Sequence, residues 1–148
     1  MQKLLPPFLY LITLISMALL CWSLDVNHLI VYPYNLVGLP FVLAGLLLAA
    51  GAKKTFVHVG TNVMTFSEPG KLVTHGAFKF SRNPMYLGFA VSLLGAALLF
   101  GAGIVSLVCW LGFIAITDRW YIRFEERAMR EKFGSEYAQY CCQVRRWI

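Results

Sequence analysis

Residues 79 to 86 read Lys-Phe-Ser-Arg-Asn-Pro-Met-Tyr, and an apolar run follows at once. Asn is among the best N-caps, and Pro suits the first helical position because its missing N–H would go unsatisfied there anyway. The pair Asn83-Pro84 therefore predicts a helix start. Free backbone N–H groups and the positive end of the helix dipole gather at such a start. Arg82 and Lys79 add full charges, and Tyr86, one turn in, adds a hydroxyl. Together they form a receptor for a carboxylate or a phosphate. The same two cations would also anchor a helix at lipid headgroups, and spacing alone does not separate the two readings.

A second group lies about forty residues on. Asp118, Tyr121 and Glu125 are spaced i, i+3, i+7, one face of a helix. Glu126 and Arg130 form a favourable i, i+4 pair on the adjacent face. Acidic groups close to a membrane are costly unless paired or hydrated, so they are either a mutually paired, solvated face or a functional one. If the two groups meet, an anion site and a cation site lie side by side. A zwitterionic amino acid group needs that arrangement.

The elements that must position these residues are apolar. Of 148 residues, 59% are hydrophobic and 14% charged, whereas soluble domains hold ~45–50% apolar and ~25% charged residues. Candidate spans cover about 4–24, 36–52, 84–100 and 104–122. Gly101-Ala102-Gly103 makes a tight hairpin of the last two. The first begins Met-Gln-Lys and loosely suits a cleaved signal, but no small-x-small site follows, so it is read as a helix. Lys3 precedes the first span. Lys53, Lys54, Lys71, Lys79 and Arg82 lie between the second and third. Arg119 lies at the end of the fourth and six more basic residues follow it, so all thirteen fall on one side. The positive-inside rule makes that side cytoplasmic, with both termini there. The expected fold is an all-α integral membrane protein of the inner or cytoplasmic membrane, with four transmembrane helices and a helical cytoplasmic C-terminal extension.

Function is expected on the cytoplasmic face, whose connections are long: residues 53–83 and 123–148. Thr55 to Ser67 alternates too weakly to be assigned as a strand, and Glu68-Pro69-Gly70 signals a turn. The fourth helix has no breaker until Gly134, and from Ile104 to Phe133 it would run ~45 Å at ~1.5 Å per residue. Its last third must leave a ~30 Å hydrocarbon core or bend along the surface. Ser135 is the expected N-cap of a short helix from Glu136 to about Cys142. Small residues four apart, Gly45 and Ala49, Gly88 and Ser92, Ala97 and Gly101, would let helices pack closely in lipid.

"LVTHGAFKFSRNPMYLG" followed by "EERAMREKFGSEYAQYCCQVRRW" resembles the isoprenylcysteine carboxyl methyltransferase and phospholipid methyltransferase superfamily, integral membrane enzymes that use S-adenosylmethionine. The resemblance spans roughly residues 35 to 148 in organisation and is sharp over 70–88 and 125–147. It implies one membrane methyltransferase domain over 1–148. It also implies a cofactor strip at Gly70, Lys71, Leu72 and Val73, with His75 and Phe78 beside it, and at Arg82, Asn83, Pro84, Met85 and Tyr86. Phe78 stands where the family has a tyrosine, and Asn83 where it has a histidine. Glu125 falls on the family's cofactor-binding glutamate. Arg82, Tyr86 and Glu126 are the catalytic candidates, and Asp118 and Tyr121 the substrate contacts. Tyr121 replaces the arginine that contacts substrate in the prenylcysteine enzymes, which argues against a prenylcysteine carboxylate as acceptor.

Methyl transfer from a sulfonium is an in-line displacement that needs no metal, and the chain offers no metal-ligand spacing. Holding the nucleophile in line can supply ~7–11 kcal/mol. Phe78, Phe80, Tyr86 and Trp120 are candidate pocket walls. An amine or thiol acceptor would call for a base, with His58, His75 or Glu126 the nearby options. His28 lies on the outer side. The expected partners are membrane lipids and a lipidic or small hydrophobic acceptor, with no nucleic acid. The Thr55–Ser67 block and the C-terminal helix are expected to close over the cofactor. Competing readings are an NADPH-dependent reductase of related core, a non-catalytic scaffold and a small exporter. The exporter lacks the acidic residue that it would need in its first three spans. Cys141 and Cys142 read as small interfacial residues.

Overall fold

In hydrocarbon, backbone N–H and C=O groups must pair within their own segment, so apolar runs fold as helices. The computed structural model describes residues 5–24, 29–60 and 70–148, and its regular elements there are helices. Lys3, Asp25 and His28 fall outside the described residues. So do residues 61–69, which hold the Glu68-Pro69 part of the expected turn and most of the Thr55–Ser67 block.

Helix α1 covers Pro6–Ser23. A 3-10 turn, Tyr34–Val37, leads into α2, Gly38–Val59. Helix α2 thus runs past the expected membrane span, which ends near residue 52. Lys53 to Val59 contain no breaker, and the helix stops only where Gly60 takes a left-handed conformation, φ 69°. Helix α3, Pro84–Leu99, opens at the expected proline. It ends in the expected tight turn, where Gly101 and Ala102 both have positive φ. Helix α4, Ile104–Ile116, runs on through a π-helical segment, Thr117–Ile122, into α5, Arg123–Gln143. The sequence carries no sign of the π segment. At Gly134 the backbone leaves helical geometry, φ 47° and ψ −116°, and a second helical stretch follows at once as far as Gln143, so the expected break falls there, as a kink within α5.

Helices α2 and α3 form the closest-packed pair, and they meet through the small residues. A Cβ on Gly88 would lie 2.7 Å from the Ala49 nitrogen, and one on Gly95 would lie 2.6 Å from the Gly38 carbonyl oxygen. Backbone approach of this kind is how helices associate in lipid, where burial of apolar surface supplies no drive. On the other side of α3, Tyr10, Met17, Leu93, Ala97 and Phe113 join α1, α3 and α4 in one buried cluster. Polar atoms inside it are paired. The Tyr10 hydroxyl and Ser92 Oγ are 2.9 Å apart, and Trp110 Nε1 donates to the Ala90 carbonyl at 2.9 Å.

Three helical stretches, Pro6–Ser23, Tyr34–Val59 and Ile104–Gln143, are long and apolar enough to cross a membrane by length and composition. Helix α3 is apolar and shorter, with 16 residues. The kink turns the end of α5 back towards the segment before α3. There Tyr137, Tyr140 and Val144 bury themselves with Leu72 and Met129 packed against them.

Candidate active site

The start of α3 is built by a chain crossing. Val144 leaves α5 in an extended conformation, and the last residues run beside 81–83. The Arg82 amide donates to the Arg145 carbonyl at 3.0 Å. Asn83 Nδ2 donates to the Arg146 carbonyl at 3.0 Å, and Ser81 Oγ donates to the same oxygen at 3.4 Å. Asn83 therefore occupies the N-cap position without capping the helix through its side chain. This corrects the expectation for it. The amide group is drawn away by an acceptor sixty-three residues distant, and Ser81 Oγ accepts from the Asn83 amide instead, at 3.1 Å.

On the facing helix the π segment adds a residue to one turn and shifts the faces. Phe113, Thr117, Tyr121, Ile122 and Glu126 are the buried row. Glu126 is the buried glutamate, 6% exposed, and not a member of a solvated face. Arg130, its expected partner, is mostly exposed and only 3.9 Å away. The principal partners are two other arginines. Arg146 reaches Glu126 in bidentate fashion, Nη2 to Oε2 at 2.7 Å and Nε to Oε1 at 3.1 Å, and Arg82 Nη2 lies 3.3 Å from Oε1. The third guanidinium nitrogen of Arg146, Nη1, donates to both oxygens of Asp118 at 3.3 Å, and Trp147 Nε1 donates to Asp118 Oδ1 at 3.0 Å. The hydrogen bonds to Glu126, foremost, and the Asp118 carboxylate hold the Arg146 guanidinium pKa above its usual value.

The catalytic and cofactor candidates of the two sequence blocks do come together. The Tyr86 hydroxyl donates to Glu125 Oε1 at 2.7 Å. Tyr86 and Tyr121, both buried, have ring centroids 6.3 Å apart, with Trp147 packed against the pair. Arg82 also contacts the Cys141 sulfur, and its Nε is buried without a hydrogen-bond partner among the described residues. The Tyr140 hydroxyl donates to the Phe78 carbonyl at 2.6 Å, which ties the kinked end of α5 to the segment before α3.

The rest of the cofactor strip is spread around this junction. Leu72 packs on the Tyr137–Tyr140 cluster. Val73 and Phe78 are buried with Ala52, and Met85 lies against them. Pro84 is buried at the first turn of α3. Gly70, Lys71 and His75 are exposed, as are Lys79 and the last-turn His58 of α2. Two of the expected pocket walls are corrected. Phe80 is 78% exposed and Trp120 70%, because each falls on the side of its segment away from the junction. Among the described residues, no group of three or more His, Cys, Asp or Glu could hold a metal ion.

Sequence reasoning missed Arg146, Trp147, Ser81 and Tyr140. The Arg-Arg-Trp at 145–147 belongs to the family-like block, but no site role falls on it in the sequence. Nothing local says which acid an arginine will reach.

A family model described as phospholipid methyltransferase matches residues 33–136, the stretch from the turn before α2 to just beyond the kink in α5. The chain belongs to the phospholipid methyltransferase family. Within that family its sequence is similar to a probable protein-S-isoprenylcysteine O-methyltransferase of Oryza sativa subsp. indica. The two are 29% identical over 115 residues, covering 73% of this chain and 57% of the rice protein. The protein of the same description in subsp. japonica matches equally. An uncharacterized protein of Haemophilus influenzae is 37% identical over 67 residues, covering 43% of this chain and all of that one. Among solved structures, the eukaryotic intramembrane Ras methyltransferase (isoprenylcysteine carboxyl methyltransferase) superposes with a TM-score of 0.73 at 23% identity. The match covers 94% of this chain and 51% of that one. That likeness is one of fold, and it makes this phospholipid methyltransferase family member a membrane-type helical protein. The chain spans about half the length of the curated relatives it matches.

Proposed function

We propose that the protein transfers a methyl group from S-adenosylmethionine to a lipidic or small hydrophobic acceptor at the membrane surface. One observation carries this reading: Tyr86 and Arg82 at the start of α3 bind the neighbouring carboxylates of Glu125 and Glu126, at 2.7 and 3.3 Å. Two stretches about forty residues apart thus share one junction that holds both signs of charge.

The residues fit the cofactor's amino acid end. Arg82 Nε is a buried donor with no acceptor among the described residues, an arrangement that is costly until an anion such as a carboxylate arrives. Glu125, oriented by the Tyr86 hydroxyl, suits an ammonium. Asn83, Pro84, Met85, Leu72 and Val73 would border the same cofactor, with Gly70, Lys71, His75 and Phe78 at its edge. S-adenosylmethionine supplies a methyl group on a sulfonium whose positive charge disappears on transfer. The protein's own share is placement and the exclusion of water by Tyr86, Tyr121 and Trp147. Arg146 and Arg82 keep both Glu126 oxygens engaged, so Glu126 orients the arginines rather than standing free as a base.

In this reading the chain is one domain with four spans, both termini cytoplasmic, and the cofactor enters from that side. The acceptor reaches Asp118 and Tyr121 from the bilayer. A tyrosine at 121 in place of a guanidinium disfavours a carboxylate acceptor. The test is calorimetric titration of the full chain in detergent with S-adenosylhomocysteine, alongside NADPH. Binding of the first alone is expected, weakened in Arg82→Ala and in Glu125→Ala with helix content intact. Equal affinity in the wild type and both variants would sink the site. Binding of NADPH alone would favour the reductase.

A further inference from the structure

Away from the buried row of α4–α5 lies a face that no described element covers. Arg119, Arg123 and Arg127 follow one another at intervals of four and are all exposed. Among the described residues none of them has an ion-pair partner within 4.0 Å. Asp118 feels the Arg123 charge but is paired with Arg146, and Glu126 is paired with Arg146 and Arg82. Beside this row run Ile116 and Trp120, 43% and 70% exposed, also four apart. Towards the start of α4 the arginine row continues as exposed Val108, eleven residues before Arg119.

The placement along the helix axis matters. Arg119 lies ~22 Å from Ile104 at ~1.5 Å per residue, short of a ~30 Å hydrocarbon core. Long arginine side chains extend from such a depth to the headgroup layer while their stems stay in apolar surroundings. Trp120 is the amphipathic ring favoured at that level. A soluble polyanion would meet the arginines and leave the apolar rows bare. A phospholipid matches both, with phosphate on guanidinium and acyl chain on Ile116 and Trp120.

We infer that this face is a docking site for an anionic phospholipid, separate from the methyl-transfer junction. Its headgroup phosphate is held by Arg119, Arg123 and Arg127. Each basic residue near an anionic surface is worth about fivefold in affinity, so the three together are worth on the order of a hundredfold.

The experiment titrates the detergent-solubilised full chain with phosphatidylglycerol, with phosphatidylcholine of the same acyl chains, and with soluble glycerol phosphate. Melting temperature and lipid adducts in native mass spectrometry are the readouts. Phosphatidylglycerol is expected to raise the melting temperature and to be retained, and the other two are not. In R119Q/R123Q/R127Q the half-saturating concentration of phosphatidylglycerol should rise on the order of a hundredfold. In the charge-matched K53Q/K54Q/K132Q it should stay within about threefold of wild type. The proposal is overturned if the two lipids act alike on the wild type or if glycerol phosphate alone reproduces the shift. It is also overturned if the arginine variant matches the wild type, or if the lysine variant loses as much as the arginine variant. Should the triple arginine variant misfold, Arg123→Gln alone is read by adduct counting on the folded protein. A shift of about fivefold supports the site, and none overturns it.

Discussion

Arg146 and Glu126 are separated by twenty residues and a helix kink, yet they form a two-pronged ion pair, 2.7 and 3.1 Å long, at the foot of α3. The same guanidinium holds Asp118, and the Arg146 carbonyl receives Asn83 and Ser81. One residue near the C-terminus therefore joins the end of α5 to the start of α3 and to the π segment. It lies outside residues 33–136, where the family model matches.

Removing Arg146 leaves a buried carboxylate with half of its partners. Arg146→Ala should destabilise the protein by roughly 2–4 kcal/mol, less than a fully buried pair would cost because Arg146 itself is partly exposed. Arg146→Lys should recover only part of this, since an ammonium cannot reproduce the forked geometry. Thermal or denaturant unfolding in detergent measures both. A lysine variant as stable as the wild type would show that the fork is unimportant.

Tyr86→Phe deletes one hydroxyl and leaves the packing in place. The lost bond is to an ionised acceptor, worth about 1.5–3 kcal/mol. S-adenosylhomocysteine affinity should fall about tenfold or more, because Glu125 is no longer oriented. Calorimetry on wild type and variant gives the ratio, and an unchanged value would remove Tyr86 from the site.

The α2–α3 contact leaves no room for a methyl group. Gly88→Ala would set its Cβ 2.7 Å from the Ala49 backbone nitrogen, so a helix must shift, at a cost of about 1–3 kcal/mol. Gly112→Ala, where nothing lies within 4 Å, should change stability by less than about 0.5 kcal/mol. Melting temperatures of the two variants side by side decide this, and the reverse ranking would contradict the packing.

Tyr140→Phe removes the donor to the Phe78 carbonyl, and a buried acceptor left unsatisfied costs about 1–3 kcal/mol. The effect should be local. The stretch after Gly134 should become more open to limited proteolysis, while α1 to α4 melt with the rest of the wild-type profile. Cleavage at wild-type rates would mean that the kinked end is held by apolar contacts alone.

Local chemistry wrote much of the fold legibly. The apolar runs, the proline start at residue 84, the Gly101-Ala102-Gly103 turn and the break at Gly134 each depend on a few neighbouring residues, and each lies where those residues put it. Helix α2 continues past the apolar span because hydropathy falls at Lys53, whereas a helix ends where the backbone is forced out of it, at Gly60. The two chemistry-bearing stretches were legible as a pair only through their likeness to a family.

By itself, then, the sequence determined a helical membrane-type protein and the residue types brought to its junction, because helix formation and hydrophobicity are short-range properties. Only the tertiary structure decided who binds whom. It turned Asn83 from a cap into a donor for Arg146, made Glu126 rather than Glu125 the buried acid, and sent Phe80 and Trp120 outwards. Charges pair with whatever lies within a few ångströms. That neighbourhood was set by a π turn and a kink, through packing between segments distant in the chain.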